Sequence, residues 1–164
     1  MERVRLFTFQ RALILNLFDP VGLYTPTWNG IGATGNLRTA YAYAASQLER
    51  LNLSDGASPP VWAYETRPED LADLAHMLLS EVELRSNEYV TLELSVPEPQ
   101  VLRSSYGLWC DLFFECLENG EIVDDGAWLD WQKVDQDDSD AVQAILAHLR
   151  RDWVVSVSPL PDQA

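Results

Sequence analysis

Residues 89–96, Tyr-Val-Thr-Leu-Glu-Leu-Ser-Val, alternate with a period of two. Val90, Leu92, Leu94 and Val96 share one face; Tyr89, Thr91, Glu93 and Ser95 share the other. A segment with this period is a half-buried strand, so it must sit in a sheet that other elements cover. Pro97 closes it, because proline brings no N–H to a ladder. Residues 4–9 and 61–64, rich in β-branched and aromatic side chains, read as further strands, as do residues 153–157.

The covering elements are written at helical spacing. Tyr41, Ala44, Ala45, Leu48 and Leu51 form one apolar stripe, with Asn36 placed to cap it. Leu71, Leu74, Ala75 and Leu78 follow Thr66-Arg67-Pro68-Glu69, a capping-box pattern with proline in the first turn. Leu108, Trp109, Leu112, Phe113, Cys116 and Leu117 follow Ser104 and Ser105 and stop at Asn119-Gly120. Val142, Ile145, Leu146 and Leu149 follow Ser139 and predict a last helix. Residues 11–18 carry a further helical pattern closed by Asp19-Pro20, and residues 20–35 read as a long loop. Strands and helices do not alternate strictly. The expectation is an α+β fold: a single compact domain over residues 1–158, with a mixed or antiparallel sheet packed with about four to five helices. The tail 159–164 is expected to fray.

The length of 164 residues suits one domain, and 47% hydrophobic with 23% charged residues excludes a low-complexity or wholly disordered chain. No apolar run approaches the roughly 18–20 residues of a membrane span. The best stretch, residues 6–18, is broken by Gln10, Arg11 and Asn16, which also speaks against a secretory signal. No membrane association is expected. Cys110 and Cys116 lie six residues apart in a helical pattern and point to different faces. Two free thiols suit a reducing compartment, so the expected location is the cytoplasm.

Charge is spread unevenly. Residues 1–60 hold five basic and four acidic side chains, whereas residues 61–164 hold six basic and 22 acidic ones. Such a surface repels a phosphate backbone, so direct nucleic-acid binding is not expected, and it attracts a basic protein. Within it, Trp128 and Trp131 are ringed by carboxylates. Aromatics among carboxylates suit the surface of a basic partner. The first expectation is therefore an acidic interaction or inhibitor protein, in the manner of an antitoxin or nucleic-acid mimic. Its contact residues would be Asp124, Asp125, Trp128, Asp130, Trp131, Asp135, Asp137 and Asp138.

A second expectation comes from Gly30-Ile31-Gly32-Ala33-Thr34-Gly35, which has the spacing of a dinucleotide fingerprint and leads into a helix. Pro26 spoils the strand that should precede it, and the acidic residue about 20 positions on would be Asp55, in a turn. The alternative is a small nucleotide- or NAD-using enzyme, ADP-ribosyl-transfer-like, with its site at the Gly-rich loop 29–36. Gln10, Tyr24, Gly30, Gly32, Gly35 and Glu65 would bind the ligand.

No metal or resident cofactor is expected. His76 and His148 have no partner at metal-ligand spacing, and there is no C-x-x-C. Asp135-Gln136-Asp137-Asp138-Ser139-Asp140 begins like a calcium loop, but Asp140 stands where glycine is needed and Leu146 where a bidentate glutamate is needed. No Gly-x-Ser-x-Gly elbow accompanies the histidines. Oligomeric state leaves no signal.

Several segments in order carry a resemblance: Leu6-Phe7-Thr8-Phe9-Gln10, Ala40-Tyr41-Ala42-Tyr43, Pro60-Val61-Trp62-Ala63-Tyr64, and Val96-Pro97 through Val101-Leu102-Arg103-Ser104-Ser105 to Trp109. Together they resemble the bacterial family called domain of unknown function 3841. That family usually begins Leu-Trp-Thr-Ile-Gln, from which Phe7 and Phe9 depart conservatively. The resemblance implies no reaction and no site residue.

Overall fold

The computed structural model describes residues 1–124, 126–129 and 142–161; Asp125, 130–141 and 162–164 fall outside the described residues. The alternating segment 89–96 is β4, Tyr89–Pro97. It pairs along its whole length with β1, Arg3–Arg11, from Arg3 opposite Pro97 to Arg11 opposite Tyr89. Around this pair stand β3 (Val61–Glu65), β5 (Leu102–Ser105), β6 (Val142–Leu146) and β8 (Val154–Pro159). The order across the sheet is β5-β6-β3-β1-β4-β8, and every pairing is antiparallel. Two short strands, β2 (Leu23–Tyr24) and β7 (Leu149–Arg150), form a separate pair. Helices α1 (Trp28–Ile31), α2 (Gly35–Arg50), α3 (Leu71–Leu78), α4 (Glu81–Arg85) and α5 (Tyr106–Asn119) complete the α+β fold.

The sheet is covered along one face and, on the other, over β5, β6 and β3. On one, Val4, Leu6, Val61, Ala63, Leu92, Leu94, Val96, Ala144 and Leu146 pack with Ile14, Leu149 and Trp153. On the other, Ile145, Trp62 and Leu102 meet Ala40, Ala44 and Leu48 of α2 and Trp109, Leu112 and Cys116 of α5. The small residues of α2 let it lie close to α5. Asn36 ties the start of α2 to the end of α5, donating from Nδ2 to the Leu117 carbonyl at 3.0 Å. The cap of α2 is therefore Thr34, not the expected Asn36. Ser105 caps α5 as expected, accepting from the Leu108 amide at 3.2 Å, and Gly120 closes it with φ 76°.

Further expectations are corrected. Residues 142–146 are strand β6, not a helix: in the middle of the sheet both faces are apolar, so the spacing of Val142, Ile145 and Leu146 coincides with a helical stripe. Ser139 lies outside the described residues. Residues 11–18 hold only a 3-10 turn, Ala12–Asn16, because β1 runs on to Arg11 and the Ala12 amide continues the ladder to the Glu88 carbonyl at 2.7 Å. The capping box expected at Thr66 does not form, since the chain enters α3 through a 3-10 turn, Pro68–Asp70, and Asp70 takes the Arg67 guanidinium at 2.9 Å. A capping box does form at Ser80 and Glu83, opening the unforeseen α4. His148 sits between β6 and β7, not in a helix, stacked on Trp153 at 5.4 Å. Burial and nearby Arg150 hold its pKa below the usual histidine value.

Candidate functional site

A cleft of about 820 Å³ opens beside the sheet. Phe9 of β1, Trp62 and Tyr64 of β3 and Gln143 of β6 contribute from the strands. Tyr106, Trp109, Cys110, Phe113 and Phe114 come from α5, and Tyr41 from α2. Thr25, Pro26, Thr27, Gly30 and Ile31 bring in the glycine-containing segment, and Met77, Leu78 and Leu79 the end of α3.

The wall is built of rings that hold one another. Tyr41 lies 5.4 Å from Trp62, Trp62 lies 4.9 Å from Trp109, and Phe113 stacks on Tyr41 at 6.0 Å with a 25° tilt. Ring pairs at these separations hold each other in place, so the wall is preformed. Charged groups are few. Gln143 is 2% and Tyr64 6% exposed, and neither carries a formal charge at neutral pH. Gln10 lines the cleft and donates from Nε2 to Thr8 Oγ1 at 2.9 Å, while Thr8 donates to the Trp62 carbonyl. Arg11 is the one cation among the described lining residues, and it pairs with Glu88 at 3.4 Å. None of the described lining residues is Asp, Glu or His. Burial raises the pKa of Tyr24 and, with the Glu83 charge, that of Tyr41, so these phenols remain neutral.

No family model, no curated protein and no solved structure matches this chain. The site is thus read from its own geometry.

Of the residues expected around the glycine loop, Gln10, Tyr24 and Gly30 meet at this cleft; Gly32, Gly35 and Glu65 are not among the lining residues. Glu65 is committed elsewhere, accepting from Arg103 Nε at 2.8 Å, with Glu98 on the same guanidinium at 3.3 Å. Burial draws the Arg103 pKa down, but the two carboxylates more than offset it and keep the group charged. The first three amides of the fingerprint, those of Gly30, Ile31 and Gly32, are spent within α1. Thr27 caps the four-residue α1 and takes the Gly30 amide at 2.9 Å, and β2 before it belongs to the separate two-stranded pair. Gly32 ends α1 at φ 69°, a conformation that explains a glycine there without a ligand.

Trp128 was expected on an acidic outer surface, but it is 1% exposed. It packs on Trp109 at 4.9 Å and on Tyr43 at 6.0 Å. Its indole Nε1 donates to Asp124 Oδ2 at 3.0 Å, and the other Asp124 oxygen takes the Gly126 amide at 2.8 Å. Trp128 and Asp124 thus close the turn that seals α5 against the sheet. Asp125, Asp130, Trp131, Asp135, Asp137 and Asp138 lie outside the described residues. Among the described residues no His/Cys/Asp/Glu group is suited to hold a metal, no helix is long and apolar enough to cross a membrane, and Cys110 and Cys116 form no disulfide.

The aromatic wall could have been suspected from the sequence only as an excess of Trp and Tyr. Tyr41, Trp62, Tyr64, Trp109 and Gln143 come from four elements, and only the strand order brings them together.

Proposed function

We propose that this chain binds a small molecule by a flat ring, of the nucleotide or nicotinamide kind, in the cleft beside α5. The ring-walled cleft carries this reading. Its size falls in the roughly 300–1,000 Å³ range of small-ligand sites, and apolar walls with a few placed polar groups are the usual lining of such sites. Flat heteroaromatic rings stack on Trp, Tyr and Phe whatever their identity. The reading stops at binding. Displacing nicotinamide from its ribose builds positive charge, which a carboxylate would steady, and no described lining residue supplies one. Titration with NAD, nicotinamide and adenosine, followed by tryptophan fluorescence and thermal shift, is expected to give saturable binding with Kd of about 1 mM or tighter for at least one of them. No response to any of the three at about 5 mM removes the reading.

The basic-partner reading keeps one specific support. Asp111, Glu115 and Glu118 are exposed along α5 at positions that share a helix face, and none pairs with an arginine among the described residues. Elsewhere the acids are partly neutralised, as Glu93 is by Arg5 and Glu81 by Arg85. Replacing Asp111, Glu115 and Glu118 together with lysine is expected to weaken binding to an Arg-rich probe peptide at least about tenfold at low salt. Equal binding removes α5 as the interface. The likeness to the domain of unknown function 3841 family stands beside both readings as a proposal and assigns no residue.

A further inference from the structure

Ser104, Gln143 and Tyr64 form a row across three adjacent strands: Ser104 is opposite Gln143, and Gln143 is opposite Tyr64. Residues opposite one another in an antiparallel ladder share a face, so the row stands on the side of the sheet that meets α5. All three are buried, at 0%, 2% and 6% exposure. They are uncharged polar groups in an apolar surround, where each must find partners.

The Ser104 hydroxyl donates to Gln143 Oε1 at 3.0 Å, so the carbonyl end of the amide is taken. Tyr64 stands opposite Gln143 in the ladder, and the neighbouring amide acts on the phenol in the sense that lowers its pKa. Burial, the larger effect, drives the Tyr64 pKa far above its usual value and keeps the proton on. A neutral phenol has one proton to give. Among the described residues no acceptor meets that proton, and Tyr64 lines the cleft. The nearby Tyr106 ring stands edge-on at 6.1 Å.

We propose that the Tyr64 hydroxyl, next to the Ser104–Gln143 pair in the ladder, donates its hydrogen bond to a carbonyl oxygen on the ring ligand. The cleft then selects flat rings that bear a carboxamide or ring carbonyl over bare rings of the same size. This inference rests on the ring-binding reading above. Its physical basis is that a placed polar donor in an apolar site rejects a ligand that leaves it unpaired more strongly than the walls discriminate shape.

Two probes of similar size separate the cases: nicotinamide, which carries the carbonyl, and 3-methylpyridine, which does not. The wild-type protein is expected to bind nicotinamide about tenfold tighter, and Tyr64→Phe, which keeps the ring, is expected to erase that preference. A preference that survives Tyr64→Phe overturns the assignment. Equal wild-type affinity for both probes also overturns it while leaving the cleft intact, and this comparison needs no variant to fold. If the wild type binds neither probe, nor NAD or adenosine, the ring-binding reading has failed and this inference falls with it.

Discussion

Trp128→Ala is expected to cost about 3–5 kcal/mol of unfolding free energy, the range for removing a buried aromatic side chain. The indole is almost wholly enclosed and lies against Trp109 and Tyr43. Truncation opens a cavity between α5 and the turn Ala127–Leu129, and it takes from Asp124 the indole donor that its Oδ2 receives. Trp128→Phe keeps most of the packing and loses the N–H, so a smaller loss of about 1–2 kcal/mol is expected. Denaturant midpoints for the three proteins check both figures. A tryptophan on a partner surface behaves otherwise, since exposed substitutions usually stay within about 0.5 kcal/mol. An unchanged midpoint for Trp128→Ala therefore returns Trp128 to the surface. The effect reaches the cleft as well, because Trp109 backs onto Trp128 and forms part of the wall.

Ala144→Lys is expected to abolish cooperative folding. Ala144 is 0% exposed and is paired on both sides, with Ala63 of β3 and Arg103 of β5. A lysine there adds four heavy atoms to a filled core, an overpacking cost of about 1–3 kcal/mol. It also brings an ammonium beside Arg103, which already engages the carboxylates of Glu65 and Glu98, and an uncompensated buried charge costs about 3–5 kcal/mol more. Together these approach the whole stability of an ordinary domain, about 5–15 kcal/mol. On a helix using Val142, Ile145, Leu146 and Leu149 as its buried stripe, Ala144 would face water and lysine would be harmless. Circular dichroism and a denaturant melt of Ala144→Lys decide between the two: a native-like melt rules out the central strand.

Both predictions fall where local pattern and tertiary environment part company. β4 was legible because one face of it is buried and the other is not, and that difference is written into every second residue. The start and stop of α5 were legible for a similarly local reason: Ser105 accepts an amide three residues on, and Gly120 adopts a left-handed turn. β6 was not, because a strand covered on both faces loses its period and keeps only its hydrophobicity. β5 was missed as well, since Leu102–Ser105 is short and mostly polar, and Ser104 is buried while hydrogen-bonding to the neighbouring strand.

The candidate site divides in the same way. Gln10, Tyr24 and Gly30 were picked out along the chain and do meet at the cleft, while Glu65 turned to Arg103 and Trp128 turned inward. Ion pairing and burial depend on what lies opposite, which no local spacing encodes.

From its sequence alone the chain determined an α+β domain, the half-buried strand β4, the capped helix that follows β5 and a net charge of −15. These follow from interactions between residues a few positions apart, or from composition. The tertiary structure alone decided that the sheet runs β5-β6-β3-β1-β4-β8, that Ser104, Gln143 and Tyr64 stand in one row, and that rings from β3, α2 and α5 close on a common cleft. Those outcomes depend on contacts between segments tens of residues apart, where burial and hydrogen-bond satisfaction are settled by the whole fold at once.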